Sequence, residues 1–231
     1  MINIELKSLD HRKILNAILY QAGGRAFRFG STEPSVPENL EKQILSCEEQ
    51  VLRLARPRAV YRILPADEIT DVLAGKDILR LLDGCSKAVL IAITLGIQLE
   101  QALMKEEITN MGNAFLLDFC ASEAAEEAAD QFEQKLRTSL LQEGKYLTNR
   151  FSPGYGDYPL SVQRPFLTLL NTQRMIGLTL TKTNLMVPRK SITAIMGICE
   201  IPKAPVYGSC ASCPLISKCS YREHNERCYM Q

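Results

Sequence analysis

Four cysteines crowd the C-terminal tail of this 231-residue sequence, in the arrangement Cys210-x2-Cys213-x5-Cys219-x8-Cys228. Thiolates at that density form a ligand set. The Cys-x-x-Cys turn folds back to present two sulfurs to one centre, and the two further cysteines complete fourfold ligation. A zinc ribbon brings a second Cys-x-x-Cys, which this tail lacks, and Pro214 directly follows Cys213, as proline often follows a cluster-binding cysteine. The first reading is therefore a four-iron four-sulfur cluster on Cys210, Cys213, Cys219 and Cys228. A structural zinc, with His224 as a substitute ligand, and unligated redox thiols are the alternatives.

A second chemistry-bearing stretch lies at residues 150–170, RFSPGYGDYPLSVQRPFLTLL. Pro153, Gly154, Gly156 and Pro159 fall within ten residues of Arg150. Proline fixes φ and removes a donor while glycine admits conformations closed to other residues, so the run is a shaped loop and not a regular helix or strand. Ser161 is an N-cap candidate for the amphipathic run Val162 to Leu170. A loop held between ordered elements can aim backbone N–H groups, an arginine and the phenol rings of Tyr155 and Tyr158 at one small ligand.

The elements that must position these groups follow from periodicity. Asp10 N-caps a first helix over residues 11–22, stopped by Gly23-Gly24; Ser35, Pro37 and Glu38 form a capping-box start to a second, running to about Ala55 before Pro57. Ala59 to Leu64 is a strand and Asp77 to Leu82 a short helix ended by Gly84. Lys87 to Thr94, KAVLIAIT, is a strand buried on both faces, and Gly96 turns it into a helix from Ile97. No glycine-rich run stands at that turn, which argues against a phosphate loop. The longest helix spans about Asn113 to Gln142, with Leu117, Ala121, Ala125, Ala128, Phe132, Leu136 and Leu140 at helical spacing. Its acids, Glu123, Glu126, Glu127, Asp130 and Glu133, read as a solvated face. Gly177 to Thr181 and Ser191 to Cys199 are further strands, the second with Ile192, Ala194, Met196 and Ile198 as its core set.

These elements predict an α+β fold: one domain over 1–203, with a twisted mixed or antiparallel sheet covered by helices, and a small cysteine-rich metal-binding tail over 204–231. Residues 87–94 and 191–199 are expected in one sheet under the 113–142 helix. The 27 basic and 26 acidic residues leave a net charge of +1, too little to grip a polyanion, so nucleic acid is not an expected partner. No apolar run approaches the ~18 residues that span a bilayer, and the N-terminus lacks an apolar targeting core, which predicts a cytoplasmic protein. There, eight cysteines argue for metal binding over a disulfide framework, with Cys47, Cys85, Cys120 and Cys199 as buried small hydrophobes.

The loop at Arg150 resembles the Arg-Pro-x-Pro-Gly-Tyr-Pro motif of the activation (reactivation) domain of cobalamin-dependent methionine synthase. Downstream, IGLTLTKTNLMVPRKSITAIMGI (Ile176 to Ile198) is similar to the same family's IG-x-x-LT-x-S-x-x-M-x-P-x-x-S segment. Together they cover roughly residues 85–198. The resemblance implies reductive reactivation of an oxidised corrinoid with S-adenosylmethionine as methyl donor. It also implies site residues: Arg150 on the ligand carboxylate, backbone groups of Ser152 and Gly154 on the remainder, Tyr155 beside the ligand as the catalytic candidate, and Glu126 near its positive charges. The family's Tyr-Tyr pair is unmatched near Lys203 to Val206, and its methionine synthases do not carry the cysteine tail.

No Asp-x-His-x-x-Gly motif occurs in these residues, so cobalamin is expected on a partner, either a methionine synthase lacking its own activation domain or another corrinoid protein. The tail cluster is then expected to be the source of the electron. Two rival expectations are an S-adenosylmethionine-independent corrinoid reductase and a non-catalytic zinc-containing adaptor of a corrinoid protein.

Overall fold

The computed structural model describes residues 1–21 and 37–203. The tail with Cys210, Cys213, Cys219 and Cys228, the Gly23-Gly24 stop and Ser35 of the expected capping box lie outside the described residues. The elements are α1 (His11–Gln21), α2 (Glu38–Leu54), α3 (Lys76–Leu82), α4 (Ile97–Thr109), α5 (Met111–Gln142), α6 (Gln163–Leu170) and α7 (Thr172–Ile176), with strands β1 (Ile2–Asn3), β2 (Arg58–Leu64), β3 (Cys85–Thr94), β4 (Tyr146–Leu147), β5 (Thr179–Leu180), β6 (Met186–Val187) and β7 (Ser191–Cys199). One sheet runs in the order β1-β2-β3-β7-β4, and β5 and β6 form a separate antiparallel pair. The pairs β1–β2 and β4–β7 are antiparallel. The fold is α+β, as the pattern predicts, and β3 and β7 share a sheet.

The chain divides into two compact units, and the division falls inside β2, β3, α5 and β7. The first comprises Met1–Val60, Ala92–Glu133 and Asn171–Ile192. In it Asp10 Oδ1 accepts from the backbone N–H of Arg12 and Lys13, at 3.0 and 3.2 Å, which is the expected N-cap of α1. Ile14 and Ile18 then form the buried face of that helix. Helix α2 buries Ile44, Cys47, Glu48 and Val51, and stops where Ala55 turns extended two residues before Pro57. Helix α5 starts two residues before Asn113, because Asn110 Oδ1 accepts from the Asn113 N–H at 3.1 Å. Its small residues Ala121, Ala124, Ala125, Ala128 and Ala129 are all buried, as close packing of a helix backbone requires. The acidic face is only partly solvated: Glu126 and Asp130 are exposed, but Glu123 lies 3.4 Å from Lys13 Nζ, and desolvation pushes its carboxyl up despite that lysine.

The second unit comprises Tyr61–Ile91, Gln134–Leu170 and Thr193–Gln231. The β3 segment from Ala88 onward carries no charge, and both its faces are buried. One expectation fails here. Cys85 and Cys199, expected as separate buried thiols, are joined in a disulfide across 114 residues. The cause is local: a Cβ on Gly197 would stand 2.5 Å from Cys85 Sγ, so the glycine leaves the space through which the sulfur crosses toward β7. Cys47 and Cys120 are the free buried thiols expected, and desolvation pushes Cys47 up to about 11 and Cys120 further in the same direction. Among the described residues no helix is long and apolar enough to cross a membrane.

Candidate functional site

The loop after β4 is secured at its entry by backbone pairing. Thr148 exchanges two hydrogen bonds with Gly197, its N–H to the glycine carbonyl at 2.9 Å and its Oγ1 accepting from the glycine N–H at 2.8 Å. Phe151 and Ile195 exchange both backbone bonds at 3.0 and 2.9 Å. Arg150 is thus fixed between two paired residues, half-buried, with its Nη1 shut off from solvent. At the exit, a 3₁₀ turn over Leu160–Val162 leads into α6, so Ser161 sits inside that turn and does not cap the helix. The buried Thr193 Oγ1 donates to Gln163 Oε1 at 2.8 Å and holds the start of α6 to β7.

Between these anchors the chain folds on itself. The N–H groups of Gly154 and Tyr158 donate to the carbonyls of Tyr158 and Tyr155, at 2.8 and 2.9 Å. The Gly154 N–H is therefore spent inside the loop. The two phenols have different fates. Tyr158 is 1% exposed; its hydroxyl donates to Val72 O at 2.9 Å, its ring stacks on Phe151 at 6.0 Å, and burial pushes its pKa up. It is a structural pin and not a ligand ring. Tyr155, 68% exposed, stands at the loop's outer turn. Ser152 is half-buried beside it.

Asp157 completes the loop in a way that the sequence does not announce. Its carboxylate accepts from the N–H groups of Lys76 and Asp77, at 2.7 and 3.0 Å, and so caps the first turn of α3 from 80 residues away. In return Asp77 Oδ2 accepts from the Asp157 N–H at 3.1 Å. The backbone donors at Asp77 and Lys76 lower the Asp157 pKa from its ordinary value. Both approaches need glycine: a Cβ on Gly75 would strike the Asp157 carboxylate and carbonyl, and one on Gly156 would strike Asp77 Oδ2. The φ values, +92° and +53°, also favour glycine. The one signal in the sequence is Gly156-Asp157, a capping residue with no helix following it.

Arg150, Ser152, Gly154 and Tyr155 are thus gathered in one braced loop of the second unit, while Glu126 belongs to the first unit, exposed on α5. Among the described residues no group of three or more His, Cys, Asp or Glu is placed to hold a metal ion.

The architecture is that of a corrinoid-enzyme activation domain. A solved structure described as "Crystal Structure of the MetH Reactivation Domain bound to AdoHcy" superposes with a TM-score of 0.62, at 16% identity, over 90% of this chain and 81% of that one. No curated protein matches. Residues 90–207, which include the whole loop, match the family described as "Vitamin B12 dependent methionine synthase, activation domain", and the chain belongs to that family.

Proposed function

We propose that this chain reactivates a corrinoid methyltransferase, returning its cob(II)alamin to the methylated form by delivery of one electron and a methyl group. The observation that carries the reading is the family match across the braced 150–158 loop, whose arginine and exposed tyrosine are the features expected of a ligand grip. When bound, S-adenosylmethionine supplies an activated methyl on its sulfonium. The protein's own work is positioning. Arg150 suits the ligand carboxylate because a planar guanidinium offers two parallel N–H donors. Backbone groups of Ser152 and Gly154 hold the remainder, and Tyr155 lies beside the ligand as the catalytic candidate. The related reactivation domain with bound AdoHcy supports this use of the fold.

Residues 1–203 form the activation domain in this reading and 204–231 the metal-binding tail. The donor set of Cys210, Cys213, Cys219 and Cys228 suits an iron–sulfur cluster, which would supply the electron; zinc is the alternative. Cobalamin is held by a partner, a methionine synthase without its own activation domain or another corrinoid protein, in the cytoplasm. Calorimetric titration of S-adenosylmethionine, with and without a corrinoid protein, tests the grip. Binding in either series supports it, and none in both favours the S-adenosylmethionine-independent reductase, to which the unmatched Tyr-Tyr pair already points. Anaerobically purified protein should be brown with a broad visible band; a colourless, zinc-loaded protein removes the cluster and favours the adaptor.

A further inference from the structure

We infer that Asp77 and Asp157 are positioning residues for the candidate ligand loop: they form a reciprocal clasp by which α3, itself far from the loop in sequence, fixes the conformation that presents Tyr155. The inference rests on the proposed function for its ligand but not for its mechanics. Each aspartate accepts backbone hydrogen bonds from the other's segment, at 2.7 and 3.0 Å in one direction and 3.1 Å in the other. Each segment also carries a glycine where a Cβ would collide with the opposite aspartate. Local hydrogen bonds inside 152–158 close the turn, but by themselves they leave it free to swing about its ends; the clasp ties its outer part to a second element. Tyr158, buried beneath and bonded to Val72, secures the inner side. Gly156 and Asp157 directly follow Tyr155, so a shift of the clasp is transmitted to that ring through two peptide units.

The geometry also explains why both acids are needed. Asp157 serves two N–H donors that α3 cannot satisfy within itself. Asp77 serves the Asp157 N–H, the donor that aims the Asp157 side chain at α3. Removing either should release both. Substitution effects on loop order should therefore be strongly non-additive, as expected of residues acting as one unit.

The test measures amide hydrogen exchange of the full chain by mass spectrometry, in wild type and in D157A, D77A, D157N and the double D77A/D157A variant, alongside calorimetric titration with AdoHcy. In D157A, exchange over 152–158 and the first turn of α3 should rise about tenfold or more, with exchange in β7 and α5 unchanged. D77A should loosen residues 152–158 similarly although it lies 80 residues away, and the double variant should be no worse than D157A. D157N keeps one acceptor oxygen and should fall between. AdoHcy affinity should follow the same order. Unchanged exchange over 152–158 in D157A overturns the clasp whether or not AdoHcy binds. Raised exchange with undiminished affinity overturns the positioning role. A wild type that binds no AdoHcy removes the ligand reading, and the exchange series still decides the clasp.

Discussion

Two proline-led connections in this molecule are built from different materials. The loop at 150–158 is held by backbone hydrogen bonds, one buried phenol and one pair of carboxylates, and it leaves Tyr155 exposed. The segment Pro188 to Ser191, in the other unit, is held by its own charges. Arg189 donates to Glu100 from both its backbone N–H and Nε, at 2.8 and 2.7 Å, and to Glu107 from Nη1 at 2.7 Å. Lys190 Nζ meets Asp118 at 2.7 Å and Ser122 at 2.8 Å, while Ser191 donates to the Pro188 carbonyl at 2.8 Å. The second connection carries the larger net charge, yet both its cations are engaged by their own unit. A loop's capacity to bind is set by the groups its folding leaves over, and the first leaves the Tyr155 ring exposed at its turn.

The contrast is broken most directly at Arg189. Arg189→Met strips the side-chain donors from Glu100, a buried carboxylate, and should destabilise the fold by roughly 2–3 kcal/mol, the scale of a charge-assisted hydrogen bond left unmade, discounted for the half-exposed arginine. Urea unfolding measures this, and AdoHcy affinity of the folded fraction should stay at the wild-type value. An affinity loss would mean that the two connections are not separable. At the candidate ligand loop the balance should reverse. Arg150→Lys keeps the charge but cannot supply two parallel N–H donors, and should weaken S-adenosylmethionine binding by about 1.5–3 kcal/mol, one to two decades in Kd. Tyr155→Phe keeps the ring and should cost less.

Two smaller effects sharpen the comparison. Gly156→Ala places a Cβ against Asp77 at a φ of +53°, and should cost about 1–2 kcal/mol of stability by urea unfolding, with the disturbance confined to 152–158 and α3. The smallest is an acid effect. Folding holds the Asp157 pKa below its ordinary value of 3.8, so its contribution is fully present above that pH and is lost as pH falls through the folded pKa. The stability difference between wild type and D157N should therefore be flat from neutrality to about pH 5 and shrink below pH 3.8. A difference that grows on acidification would show that the carboxylate is not the form that caps α3.

Long periodic elements were legible in the sequence. The seam of alanines in α5 and the apolar run of β3 each carry their fold instruction within a dozen residues, whereas the alternation read in β7 does not separate its faces: both are buried, and Ile192 of the expected core set is the one half-buried residue of that strand. What was not legible is short or distant. β4, β6 and α7 are two to five residues long and exist because partners elsewhere complete them, as when β4 pairs with the end of β7. The 3₁₀ segment Ala66–Val72 is unmarked in the same way, and β5 keeps only Thr179–Leu180 of the five residues expected. At the site, the sequence singled out Arg150, Ser152, Gly154 and Tyr155 as neighbours, but nothing local separates Tyr155 from Tyr158. Their fates are decided by Val72 and Phe151. The disulfide between Cys85 and Cys199 and the Asp77–Asp157 pair are hidden for the same reason: the partners meet only when β3, β7 and α3 are in place.

The interlock of Gly75, Asp77, Gly156 and Asp157 has an evolutionary consequence. None of the four can be exchanged alone without leaving a clash or an unmet donor on the other side, so relatives that alter one should be found to have altered its counterpart. The four positions should be inherited as a set, and a variant library selected for folding should recover them in matched pairs.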